Sequence, residues 1–349
     1  MSSFHHHPNT TVRITITGGA GRIAYSLIPL ILNGHIFGSE RKIHLTLLDI
    51  PVMIEKLRGI QMEIEDSNYS LLDDIIISTE ANDAFQHTDV AILLGGFPRL
   101  AGMERKDLLL KNAENIRAQA LALNATANPN VKVLIVANPA NTNCLVAIKT
   151  ATRIPKENFT CLTRLDEERL KNFCAQKISS SASSTAPGKV KGHEIHNVYI
   201  LGNHSTTQVA FIDDGTLGND RHHYKVANYF NDTDYDELLT RVQNRGAEII
   251  KATQVSSASS AAEAIIKHLR DWVGPGTGSG TFSMGVYSQG NPYGVDEDLV
   301  FSFPCVRSFE NPSGYKILPG VHFNEKIQAL VKATENELQD EKDQIKEYL

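Results

Sequence analysis

In the segment GNHSTTQ a histidine, His204, follows an apolar run and sits among small and polar residues. Imidazole changes charge close to neutral pH, which makes His204 a candidate proton carrier. A lone histidine can equally be a packed structural residue, and the segment leaves both readings open. A carboxylate against one ring nitrogen would hold the tautomer and stabilise the protonated ring. The segment LTRLDEERL offers Asp166 for that task, with Arg169 three residues on and so on the same helix face. Two further cations, Arg99 and Arg105, flank Gly102 in GGFPRLAGMERKDLL. A glycine-containing segment after a strand reads either as a mobile lid over a ligand or as a solvated loop. Arg105 opens a helix, where an acid would suit the dipole better.

Such side chains need a scaffold, and residues 12–33 begin one. Val12, Ile14 and Ile16 predict a buried strand, Gly18-Gly19-Ala20-Gly21 a turn, and Ile23, Ala24, Leu27, Ile28 and Ile31 a helix. Strand, glycine turn and helix open a dinucleotide-binding βαβ unit. Gly18 permits the turn, Gly21 lets backbone approach a pyrophosphate, and Ala24 allows close helix–strand packing. Arg22, Ile23 and Ala24 then begin a helix whose unpaired N–H groups face the phosphates. The Gly-x-x-Gly-x-x-Ala spacing is weak alone, because any strand-to-helix turn could carry it. Residues 43–50 strengthen it: this second apolar run ends in Asp49, placed to accept ribose hydroxyls and repel a 2′-phosphate. NAD is therefore expected over NADP.

Further strands are predicted at 75–78, 90–94 and 131–136, with helices over 53–66, 81–86 and 103–124 between them. This alternation predicts a doubly wound parallel sheet of Rossmann type over residues 12–160, after a disordered tail at 1–11. The polar and glycine-rich stretches, Asn138 included, fall at the strand C-terminal ends, where such sheets bind ligands. Residues 161–349 change character: helices at 166–177, 235–253, 258–272 and 324–348, strands at 195–201, 281–288 and 299–306, and a flexible Ser-rich loop at 179–192. They read as an α+β substrate domain.

At 349 residues, with 41% hydrophobic and 21% charged content, the chain is globular. Its net charge of −6 gives no basic field for nucleic acid. No segment has transmembrane length, and residues 1–11 show no targeting signal, so a cytoplasmic protein is expected. Cys144, Cys161, Cys174 and Cys305 have no metal-ligand or paired spacing.

The blocks TGGAGRIAYSLIP, LLDI, PRLAGMERKDLL, VANPANTNCL, CLTRLDEER, GNHSTTQ and SSASSAAEAI occur in this order. Together they resemble malate dehydrogenase of the cytosolic eukaryotic type. The resemblance implies an NAD-dependent, usually homodimeric enzyme of malate metabolism that interconverts malate and oxaloacetate. It implies that residues Gly18 to Ala24 cradle the pyrophosphate, that Asp49 binds the ribose, and that Asn112, Gln119, Val136, Ala137 and Asn138 contact the cofactor. It further implies that His204 carries the proton with Asp166 orienting it, that Arg169 and Arg99 hold the two substrate carboxylates, that Arg105 polarises the carbonyl, and that Asn138 also bonds substrate. Leu100-Ala101 and Ser259 depart from the family pattern. The alternatives are a lactate dehydrogenase on the same scaffold, disfavoured by Arg99, and a non-catalytic NAD-binding scaffold, disfavoured by His204, Asp166 and the arginines.

Overall fold

The computed structural model describes residues 11–97, 105–181, 188–218, 224–275 and 280–349. The N-terminal half alternates strand and helix: β1 (Val12–Thr17), α1 (Arg22–Leu32), β2 (Ile43–Leu48), α2 (Ile54–Asp66), β3 (Leu72–Ser78), α3 (Ala81–Ala84), β4 (Val90–Leu93), α4 (Arg105–Thr126), β5 (Lys132–Ile135), α5 (Ala140–Thr150) and β6 (Phe159–Cys161). The strands pair in parallel in the order β3-β2-β1-β4-β5-β6. That order reverses direction between β1 and β4, which leaves a crevice beyond their C-terminal ends. β1 turns Val12, Ile14 and Ile16 to one face and Arg13, Thr15 and Thr17 to the other, and all but Arg13 are buried.

Two of these elements escape a reading by periodicity. Every residue of α5 from Ala140 through Ile148 is buried, so it lacks the polar stripe that marks a surface helix. β6 is only three residues long.

The C-terminal half contributes α6 (Arg164–Ser179), α7 (Asp232–Thr253), α8 (Ser259–Val273) and α9 (Glu325–Gln344). Its strands Thr281–Tyr287, Val300–Arg307 and Tyr315–Ile317 are antiparallel, and the first of them pairs with β6. One nine-stranded sheet thus runs through both halves. Within 195–201, the single strand expected there is in fact two, Ile195–His196 and Tyr199–Leu201. Asn197 between them takes a left-handed φ of 55°, which turns the chain from one partner strand to another: Ile195–His196 pairs with Thr216–Leu217, and Tyr199–Leu201 with Val209–Phe211. The terminal helix is also shorter than expected, ending at Gln344 before a 3₁₀ turn. Among the described residues, no helix is long and apolar enough to cross a membrane.

Candidate active site

The predicted site residues that the structure describes sit near the C-terminal ends of the parallel strands or on α4 and α6, except His204, which follows the antiparallel strand Tyr199–Leu201. At the end of β1, Gly18 has φ +66°, and a Cβ on it would lie 2.9 Å from the backbone nitrogen of Gly95. Glycine is therefore required both by conformation and by the close approach of the β4 end. Gly21 donates to the Gly18 carbonyl at 2.8 Å and precedes α1 in extended conformation. The first turn of α1 has neither a side-chain cap nor an acidic residue. The helix thus places no acidic side chain of its own at its positive end, and Ala24 is fully buried where the helix packs on the sheet.

Asp49 follows β2. One carboxylate oxygen accepts from the Ala20 N–H at 2.9 Å, the other from the Ile50 N–H at 2.8 Å. The acid therefore ties the glycine turn to the neighbouring strand end. The glycine cradle, the uncapped helix and this acid match a dinucleotide's pyrophosphate and adenosine ribose.

Asn112 of α4 is wholly buried, and its amide engages both backbone groups of Phe97, accepting at 2.7 Å and donating at 3.3 Å. Gln119, also on α4, is buried with no partner for Oε1 among the described residues. After β5, the backbone N–H groups of Val136 and Ala137 both donate to the Leu93 carbonyl at 3.0 Å. Asn138 is exposed and precedes a cis Pro139. Arg105 is the first residue of α4. Arg99, with Leu100 and Ala101, lies outside the described residues, as do residues 182–187 of the Ser-rich loop.

The structure joins Asp166, Arg169 and His204. Asp166, wholly buried in the first turn of α6, directs Oδ2 to the Nδ1 of His204. Its Oδ1 accepts from Arg169 Nη1 at 2.9 Å. Because an ionised carboxylate only accepts, Nδ1 carries the proton and Nε2 is left for a substrate. Burial would raise the Asp166 pKa, but the charges and hydrogen bonds of His204 and Arg169 outweigh it and hold the acid below its ordinary 3.8. Burial would likewise lower His204, yet the Asp166 charge and hydrogen bond, opposed in part by Arg169, raise the ring above 6.5. The His204 side chain keeps 21% exposure, enough to meet a ligand.

Two supports carried no assigned role in the sequence. Asn141, wholly buried at the start of α5, accepts from the His204 N–H at 2.9 Å and donates to the carbonyls of Gly202 and Val300. Ser257, ahead of α8, accepts from Arg169 Nη2 at 3.3 Å. Asn141 stands in a polar run, Asn141-Thr142-Asn143, in which nothing local singles it out. Nothing local marks Ser257 either, because its partner is distant in sequence.

Comparison with known proteins assigns both halves of the chain to one family. Residues 12–160 match the family model described as lactate/malate dehydrogenase, NAD binding domain, and residues 163–349 match the lactate/malate dehydrogenase, alpha/beta C-terminal domain. Probable malate dehydrogenase 3 of Dictyostelium discoideum is 44% identical, over 98% of this chain and 99% of that one. The cytoplasmic malate dehydrogenase of Homo sapiens is 44% identical, over 97% and 98%. The crystal structure of malate dehydrogenase from Naegleria fowleri superposes with a TM-score of 0.88 at 37% identity, covering 97% of this chain and 99% of that one. Lactate dehydrogenase of Trichomonas vaginalis in complex with NADH and oxamate gives 0.88 at 31%, with the same coverage. NAD is the cofactor, as the NAD binding domain matched over residues 12–160 shows. With both halves matched and relatives similar along nearly the full length, the chain belongs to the lactate/malate dehydrogenase family.

Proposed function

We propose that the chain is an NAD-dependent malate dehydrogenase that interconverts malate and oxaloacetate. The observation that carries this reading is the single buried carboxylate of Asp166, which holds an acid/base imidazole and an arginine side by side. The cofactor supplies or accepts the hydride.

The chain's own groups do the rest. Arg169 has Nη1 on Asp166 and Nη2 on Ser257, which fixes the plane of its guanidinium for a substrate carboxylate next to the reacting carbon. Protonated His204 gives its Nε2 proton to the oxygen during reduction, and neutral His204 takes it back during oxidation. Arg105 stabilises the charge developing on that oxygen, Asn138 bonds the substrate, and Arg99 reads the second carboxylate. Asp49 receives the ribose hydroxyls, residues 18–24 the pyrophosphate, and Asn112, Gln119 and the 136–138 segment complete the cofactor contacts. The net charge and the comparison with cytoplasmic relatives support a cytoplasmic enzyme without nucleic-acid or membrane partners. A homodimer is the assembly that the family resemblance implies.

The lactate dehydrogenase relative at 31% identity keeps a second substrate in view. The test is NADH oxidation with oxaloacetate and with pyruvate, side by side. A large preference for oxaloacetate supports the proposal. A preference for pyruvate retains the His204 chemistry and removes Arg99 from the pocket, and inactivity with both despite NADH binding favours a scaffold.

A further inference from the structure

The loop that carries His204 is held from behind by the C-terminal helix. On α9, one carboxylate oxygen of Glu337 accepts from three donors that flank the histidine on both sides: Asn203 Nδ2 at 2.9 Å, Ser205 Oγ at 2.5 Å and Thr207 Oγ1 at 2.6 Å. One turn further on, Glu341 accepts from Asn203 Nδ2 at 3.4 Å and from Thr142 Oγ1, next to the Asn141 that holds the His204 N–H. Thr334, one turn before, accepts from the Asn203 N–H at 2.9 Å. A hydroxyl or amide given to a carboxylate makes a stronger and more directional bond than one given to a neutral acceptor. A flexible polar loop is thereby fixed against a rigid helix, as an acid/base group needs if its geometry is to be ready before the substrate arrives.

We propose that Glu337 is the positioning residue that keeps the His204 ring seated on Asp166, with Glu341 fixing the same loop to α5. The proposal rests on the acid/base role of His204 given above. Glu337 touches neither substrate nor cofactor in this account and acts through the Asn203 amide and the Ser205 and Thr207 hydroxyls on either side of the histidine. Overall packing has other sources: Ile327, Val331 and Leu338 anchor α9 in the core, and Gly202 bonds Ser302 in both directions. Among the described residues, the charged groups facing His204 are Asp166 and Arg169 from α6, while Glu337 and Glu341 face its loop from α9.

The experiment compares the full-length protein with Glu337→Ala and Glu337→Gln. It measures steady-state kinetics, NADH binding, and titration of His204 by NMR on histidine-labelled protein, with His204→Asn assigning the signal. A looser His204–Asp166 contact leaves burial to dominate, so Glu337→Ala moves the His204 titration down by about one pH unit, and a contact of this size also lowers kcat about tenfold. NADH affinity is unchanged, and Glu337→Gln, which keeps an acceptor oxygen, restores most of both losses. The double variant Ser205→Ala/Thr207→Val removes two of the three donors without touching α9 and reproduces most of the Glu337→Ala shift even if that variant folds poorly. An unmoved His204 titration in both the alanine and the double variant overturns the proposal. A titration that shifts while kcat stays put keeps Glu337 as a brace and removes His204 from the chemistry, so the two failures are distinct.

Discussion

Arg22, the first residue of the helix after the glycine turn, donates through Nη1 to the carbonyl oxygen of Ser256 at 3.1 Å, although 234 residues separate them. The next residue, Ser257, receives the guanidinium of Arg169. The cofactor turn and the arginine assigned to substrate are thus fastened to consecutive residues of one loop. An exposed bond to a carbonyl contributes on the order of 0.5–1 kcal/mol, so Arg22→Ala is expected to raise the oxaloacetate KM about two- to fivefold with kcat nearly unchanged. Ser257→Ala acts on the same loop, and steady-state kinetics of the double variant are expected to show less than the sum of the two effects.

Asp166→Asn keeps the side-chain shape but removes the charge that holds the His204 tautomer and seats Arg169. Loss of roughly 10²–10⁴ in kcat is expected, in line with the contribution of a positioned acid or base. NADH binding, followed by protein fluorescence quenching, is expected to survive. A variant with more than a tenth of the parent turnover contradicts the assignment.

The two pKa shifts set the direction of pH dependence. His204 is raised above 6.5 by Asp166 in spite of burial, so oxaloacetate reduction, which needs the protonated ring, is expected to decline as pH rises through that raised value. Malate oxidation, which needs the neutral ring, declines as pH falls through it. Stability follows the same linkage. The His204 contribution is fully present below pH 6.5 and is lost as pH rises through the folded value. The Asp166 contribution is present above pH 3.8 and is lost only as pH falls through its depressed folded value. Rate profiles in both directions, and thermal melts across the same range, check these signs.

Gly18→Ala places a Cβ 2.9 Å from Gly95 nitrogen at a φ of +66°. Strain of this kind costs roughly 1–3 kcal/mol, and thermal melting is expected to drop accordingly, with NADH affinity falling because the turn must shift. Asp49→Ser is expected to be milder in melting. It nonetheless narrows the preference for NADH over NADPH, since it removes the charge that repels a 2′-phosphate while loosening the Ala20 contact. Kinetics with both cofactors separate the two effects.

The parallel sheet was legible because β1, β2, β4 and β5 are apolar runs closed by glycine, Asp or Asn, a pattern written in neighbouring residues. The pairing of Asp166 with His204 was legible as a possibility of chemistry and as an implication of the resemblance, but not from local pattern, for the two lie 38 residues apart and nothing local brings them together. α5 was not legible as a helix because burial on every side erases its period. The break at Asn197 was hidden within an apolar run, where one left-handed residue leaves no compositional trace. Asn141 and Ser257 were read only as parts of resemblance blocks, because their roles depend on partners supplied by other elements.

Strand Thr281–Tyr287 bonds directly to β6. That ladder makes the cofactor half and the substrate half a single hydrogen-bonded lamina and not two bodies joined by a linker. Neither half can melt without exposing a fresh sheet edge on the other, so heat is expected to disrupt both in one calorimetric transition whose van't Hoff and calorimetric enthalpies agree. Two family models describe the sequence, but one continuous sheet runs through both.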